Sequence, residues 1–170
     1  IEQQYKEIIA SVVRYKEGIL LVYRSGKIEY LSQAGSQKVL PELSERIKDN
    51  YINHVTRLSD GRLAIATQTA GLFLYDEDES QENLIQINSK NGLLSNACLR
   101  SFEDYAGNLW VGMQNGIAYI QLQSPMRIYN DGNFLQGSGY DVHELDNSIY
   151  STTSNGIYYF DKKKEEGLFI

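Results

Sequence analysis

Few groups in this sequence could do chemistry. Glu103 and Asp104 form an adjacent carboxylate pair, His54 and His143 are the two imidazoles, and Cys98 is the one thiol. A carboxylate pair suits general acid–base work when one partner is held protonated and the other ionised. Asp104, however, stands three residues before Gly107, and an aspartate so placed accepts backbone N–H bonds in a turn. The turn is the favoured reading. A metal centre needs several convergent ligands, and no His/Cys/Asp group has suitable spacing, so no metal and no cofactor are expected. Aligned by the turns that follow them, His54 falls at the position of Cys98 and His143 at that of Arg100, which keeps the two imidazoles apart. Cys98 lies in an apolar stretch, where a thiol behaves as a small inert hydrophobe. The acidic run Asp76–Glu82 lacks the glycine and terminal glutamate of a helix–loop–helix calcium site. Gly35, Gly137 and Gly139 are not followed by the Gly-Lys-Ser/Thr of a phosphate loop. No catalytic residue is therefore assigned.

Binding residues are left unknown, with two sets of candidates. Trp110, Tyr119, Tyr150, Tyr158 and Tyr159 could stack on sugar rings. They fall in or beside apolar strands, so packing between sheets is favoured and Trp110 is expected to be mostly buried. Arg14, Arg57, Arg100 and Glu144 recur near the first strand of a repeating unit and could line a mouth. Asp104-x-x-Gly107-x-x-Trp110 falls short of the Ser-x-Asp-x-Gly-x-Thr-Trp box of sialidases and is set aside.

The repeating unit is what must position these groups. Gly26, Gly71, Gly116 and Gly156 are 45, 45 and 40 residues apart. An earlier turn at Gly18, Gly61, Gly107 and Asn147 recurs at 43, 46 and 40. Apolar pairs travel with them: Val12/Tyr15, Val55/Leu58, Leu99/Phe102 and Val142/Leu145. Each unit reads as three short strands joined by tight turns, with room for a fourth strand and a connector. Units of this length and strand number match β-propeller blades. The expected fold is all-β, one domain of four blades at about 8–50, 51–94, 95–138 and 139–170. The connector at Pro41–Lys48 is expected to hold a short helix. Gly71 and Gly116 are expected at positive φ.

The third unit, with Gly92, Leu93, Ser95 and Asn96 before it, continues as Glu103, Asp104, Gly107, Asn108, Leu109, Trp110, Val111, Gly112, Asn115, Gly116 and Ile117. This pattern resembles the two-component regulator propeller repeat. The other units match less closely, since Ala64 and Tyr150 stand in place of the tryptophan. The resemblance implies a periplasmic, non-enzymatic sensory or interaction domain of a bacterial two-component or tyrosine-motif transcriptional regulator. Its parent would carry the histidine kinase or DNA-binding part. A carbohydrate or small molecule would be the ligand. The alternatives are a fragment of a carbohydrate-active propeller enzyme and a ligand-free scaffold. Propellers of that family are larger than four blades, so completion by the rest of a parent chain or by a second copy is expected. The bare end faces would carry Val12, Leu20 and Val22 at one end, and Ile149, Ile157 and Tyr159 at the other.

Composition narrows the classes. The chain has 170 residues, 16 basic against 22 acidic, for a net charge of −6. That balance argues against direct nucleic-acid contact. One cysteine excludes an internal disulfide and leaves the compartment open, cytoplasm included. No run of 18 apolar residues is present, so no membrane-spanning helix is expected. There is no initiator methionine and no signal-peptide pattern, so the chain is expected to start inside a longer polypeptide.

Overall fold

The computed structural model describes residues 7–77, 84–123, 135–146 and 148–161, together with the backbone of 166–169. The acidic run beyond Glu77, the connector 124–134, Asn147 and the charged run 162–165 lie outside the described residues.

The chain divides into two compact units, residues 1–125 and 126–170. Unit 1 holds three antiparallel sheets. Sheet 1 is β1 (Ile9–Tyr15), β2 (Gly18–Tyr23), β3 (Ile28–Ser32) and β4 (Gly35–Lys38). Sheet 2 is β5 (Ile52–Arg57), β6 (Leu63–Thr67), β7 (Leu72–Tyr75) and β8 (Leu84–Ile87). Sheet 3 is β9 (Cys98–Glu103), β10 (Leu109–Met113) and β11 (Gly116–Ile120). Unit 2 holds sheet 4: β12 (Gly139–Leu145), β13 (Ser148–Thr153), β14 (Gly156–Asp161) and β15 (Glu166–Phe169). Every sheet is a meander, each strand pairing with the next. In unit 1 the tight turns that join the first three strands of each sheet favour this pairing of neighbours.

The connector helix α1 (Pro41–Ile47) starts on the expected proline and runs into a 3-10 turn, Lys48–Asn50. Leu43 and Ile47, four residues apart, bury one side of it beside sheets 1 and 2. Ser44 Oγ donates to the Gly26 carbonyl at 2.8 Å. Gly71 and Gly116 have φ of +86° and +142°, as expected. At Gly71 a Cβ would also lie 2.2 Å from the Ile87 carbonyl oxygen, so that turn admits only glycine.

One feature recurs in all four sheets. The register of the first strand slips by one residue near its start, between Ile9 and Ser11, Ile52 and His54, Cys98 and Arg100, and Gly139 and Asp141. A β-bulge therefore sits at the same place in every repeat. Counting from it makes Ser11, His54, Arg100 and Asp141 equivalent. It also makes Leu20, Ala64, Trp110 and Tyr150 equivalent, each paired with the third residue after the bulge slip: Val13, Thr56, Phe102 and His143.

This register corrects the turn-based alignment. The first turn of sheet 1 holds two residues between Tyr15 and Gly18. In sheet 2 the corresponding bond, Leu58 N–H to the Arg62 carbonyl, spans three. Gly18 is thus the counterpart of Arg62, not of Gly61. A one-residue slip moves every side chain to the opposite face. Leu20 and Val22, expected on a bare end, are buried against sheet 2, and Ile19 and Leu21 occupy the outer face instead. Ile149 and Tyr159 of sheet 4, expected to share a face, pair into alternate rows and lie on opposite ones. His54 is the counterpart of Arg100 rather than of Cys98, and His143 that of Thr56 and Phe102.

Unit 1 packs as two seams. Val13, Tyr15, Leu20, Val22 and Ile28 of sheet 1 meet Ile52, Val55, Leu63, Ile65, Phe73 and Tyr75 of sheet 2. The other side of sheet 2, Leu58, Ala64, Ala66, Leu72 and Leu74, meets Cys98, Leu109, Val111 and Met113 of sheet 3. Each large side chain so buried contributes roughly 1.5–3 kcal/mol over exposure. Sheet 2 thus has a leading face, turned to sheet 1, and a trailing face, turned to sheet 3, and in the other sheets the register-equivalent rows carry the same names.

Candidate interaction surfaces

The first strands of unit 1, β1, β5 and β9, lie side by side and are stitched by polar groups. Ser11 Oγ accepts the Val55 N–H at 2.8 Å, and Arg57 Nη1 donates to the Arg14 carbonyl at 3.1 Å. Between β5 and β9, Asn53 Nδ2 donates to the Cys98 carbonyl at 2.9 Å and Thr56 Oγ1 to the Ser101 carbonyl at 2.9 Å. Glu103 reaches back to sheet 2, accepting the N–H and hydroxyl of Ser59, both at 2.7 Å. The neighbouring carboxylate has a different task. Asp104 Oδ1 accepts the N–H of Ala106 and of Asn108 at 2.9 Å, and Oδ2 accepts the Trp110 indole N–H at 3.0 Å. These bonds, led by that of Asn108, hold its carboxyl below the usual range. The pair is thus a seam clamp and a turn former, as the turn reading required of Asp104.

Arg14, Arg57 and Arg100 are all exposed, but they do not form one row. Arg14 and Arg57 are equivalent, beside the first turn. Arg100 is the counterpart of His54, at the bulge end of the strand. Arg57 also lies over the Tyr15 ring, 5.6 Å from its centre. Tyr15 and Lys16 bond Glu77, the last described residue of the acidic run. Burial and the Glu77 bond raise the Tyr15 pKa. His54 is half-buried; burial and the nearby Arg100 lower its pKa. Cys98 is fully buried, and burial pushes its thiol up to about 11. Glu144 and His143 lie on the exposed strand β12. Among the described residues no group of three or more His, Cys, Asp and Glu side chains converges.

Trp110 departs from expectation. It is 43% exposed, at the centre of a cross-strand row on the trailing face of sheet 3, between Phe102 (63%) and Tyr119 (47%). Its ring packs on Tyr119 with centroids 4.8 Å apart, and Asp104 fixes its indole. In sheet 4 the equivalent pair, Tyr150 and Tyr159, stacks at 5.3 Å, while Tyr158 is buried. The strand position of Trp110 was legible in the sequence. Its exposure depends on what lies across the seam, which a strand pattern does not contain. Ser11 and Asn53 were missed, because a seam bond depends on a bulge that leaves no compositional mark.

No family model matches the sequence. No curated protein matches it either. Solved structures resemble its fold. The extracellular domain assigned to a hybrid two component system of B. thetaiotaomicron superposes with a TM-score of 0.55 at 18% identity, over 95% of this chain and 21% of that one. A second such domain from the same organism gives 0.52 at 15% identity, over 96% of this chain and 23% of that one. The chain spans less than a quarter of the length of those chains. At these identities the likeness is one of fold. No helix among the described residues is long and apolar enough to cross a membrane.

Proposed function

We propose that this chain is a four-blade section of a larger β-propeller serving as a non-enzymatic, extracytoplasmic sensory or interaction module of a two-component-type signalling protein. The blades are about 8–50, 51–94, 95–138 and 139–170. The observation that carries this reading is the fold likeness, over 95–96% of the chain, to two extracellular domains assigned to hybrid two component systems. The shared bulge and the repeated seam of unit 1 support it, as does the two-component regulator propeller pattern of Gly92–Ile117. In this reading the charged ends of β1, β5 and β9 and the aromatic rows supply contacts to a carbohydrate or small-molecule ligand. Ligand binding moves a rigid body, and domains beyond this chain carry that movement to a kinase or DNA-binding output.

The test has two arms. An export-dependent reporter fused to the full-length protein should be active, and an inactive reporter with stable expression would contradict an extracytoplasmic site. Thermal shift of this chain against a panel of neutral and acidic oligosaccharides should give a saturable rise in Tm with the sugar recovered unchanged. Release of cleaved product would favour the carbohydrate-active enzyme instead.

A further inference from the structure

Two equivalent places in unit 1 are closed by different chemistry. At the first-turn end of the seam between sheets 2 and 3, Leu58 is buried and Leu122 packs on the same core. Ser59 and Glu103 then bond directly across the gap. By register, the counterparts of Leu58, Ser59, Glu103 and Leu122 in the seam between sheets 1 and 2 are Tyr15, Lys16, Arg57 and Glu77. Packing there needs only an apolar body, yet Tyr15 brings a hydroxyl. The direct bond across the gap is replaced by two cations, which repel. Lys16 Nζ lies 4.9 Å and Arg57 Cζ 5.6 Å from the centre of the Tyr15 ring. One carboxylate reconciles the three groups. Tyr15 donates its hydroxyl to Glu77 Oε2, and Lys16 Nζ donates to Oε1 at 3.1 Å. Burial works against the Glu77 charge, but these bonds and the charges of Lys16 and Arg57 outweigh it and lower its pKa.

The donors are set in place by packing. Tyr15 is 7% exposed, with its ring edge-on to Tyr30 at 6.0 Å. Arg57 is pinned by its bond to the Arg14 carbonyl. The occupant is a surface group. Glu77 stands two residues past the end of β7 with its side chain 39% exposed, and ion pairs so placed are weak. We propose that Tyr15, Lys16 and Arg57 form a binding site for the carboxylate of an acidic ligand, and that Glu77 occupies it as a built-in competitor. This rests on the sensory reading above and names the chemical class that its ligand carries to this rim. The class follows from the occupant: a hydroxyl and an ammonium meet the two oxygens of one carboxylate, and a guanidinium adds charge beside them. An external ligand must therefore displace Glu77, which makes the site both a receptor and its own brake.

Titration of the ¹⁵N-labelled chain with sodium glucuronate, at ionic strength held constant with sodium chloride, tests this by amide NMR shifts. In the wild-type chain the amides of Tyr15, Lys16 and Arg57 should move only at high concentration. In Glu77→Ala they should move with a dissociation constant lower by about 10-fold or more, because a tethered competitor at roughly millimolar effective concentration is gone. Glu77→Gln, which keeps the side-chain length, should act in the same direction. Tyr15→Phe added to Glu77→Ala keeps the ring and removes the hydroxyl, and should raise the constant again by about 10-fold. Acetate and glucose are the other arms. Glucuronate binding more tightly than acetate supports a sugar acid as the source of the carboxylate, and equal binding supports a free carboxylate. Glucuronate binding no tighter in Glu77→Ala than in the wild type, or glucose moving the same amides equally, overturns the proposal. The export reporter and the neutral oligosaccharides above judge the sensory reading separately, so it can stand when this site fails.

Discussion

Sheets 2 and 3 of unit 1 share a repeat and a register but differ in what lies across them. In β6 and β7 of sheet 2 every residue is buried, because sheets 1 and 3 cover both faces. In β10 of sheet 3 burial alternates, since Leu109, Val111 and Met113 enter the seam while Trp110 faces outward. The residue types follow suit on the trailing faces. Sheet 2 places Ala64 and Ala66 where sheet 3 places Trp110 and Gly112. Small residues let the next sheet approach closely, whereas the indole stands proud, held by Asp104. Leu72 and Ile117 occupy the same position, one fully buried and the other 69% exposed. Position in the repeat fixes which way a side chain points, and the neighbouring sheet fixes what that direction is worth.

That comparison can be broken by matched substitutions. Leu72→Ala should cost about 2–5 kcal/mol, and Ile117→Ala no more than about 0.5 kcal/mol, by urea unfolding of the isolated chain. Equal costs would mean that the trailing face of sheet 3 is covered in solution. Gly71→Ala and Gly116→Ala make the second pair. The first should lose about 2–3 kcal/mol, because positive φ and the Ile87 carbonyl both oppose a Cβ. The second should lose about 1 kcal/mol, since its nearest neighbour is the end of the Leu94 side chain at 3.4 Å. Trp110→Ala should cost about 1.5–2.5 kcal/mol, roughly half the figure for a buried tryptophan. A loss near the full buried value would show a covered ring.

The smallest effect concerns His54 in the β5–β9 seam. Its folded pKa is lowered, so the unfolded chain binds the proton more tightly. The stability it contributes is complete above its ordinary value of 6.5 and is lost as pH falls through the lower folded value. The urea midpoint should therefore drop between pH 7.5 and pH 5.5, and His54→Gln should flatten that drop. The lowered carboxylates, Asp104 and Glu77 among them, act only at more acid pH. An unchanged slope in His54→Gln would remove His54 from the seam.

Much of the fold was legible because turn chemistry is local. The glycine spacing gave the repeat, Gly71 and Gly116 gave left-handed turns, Pro41 gave the helix start, and Asp104 gave its own turn. Face assignment was not legible, because it depends on counting. A first turn one residue shorter in sheet 1 put Leu20 and Val22 on the wrong side. The bulge displaced His54 from its true counterpart, Arg100. The candidate surfaces were half legible. The arginines and aromatics were found by type, but their rows and exposure come from register and from neighbouring sheets.

The first turns offer a last consequence. Leu58–Arg62 and Asp104–Asn108 close with the same pair of backbone bonds around three residues, while Tyr15–Gly18 closes around two. Lys16 takes a φ of +49° to do so. All three leave the strand pairs behind them in the same alignment, so turn length is decoupled from seam geometry. Insertions at this one position are absorbed locally, without reshuffling any buried side chain. That rim of unit 1 is where new sequence can be grafted, by natural drift or by engineering, to change what the surface recognises while the packed interior stays constant.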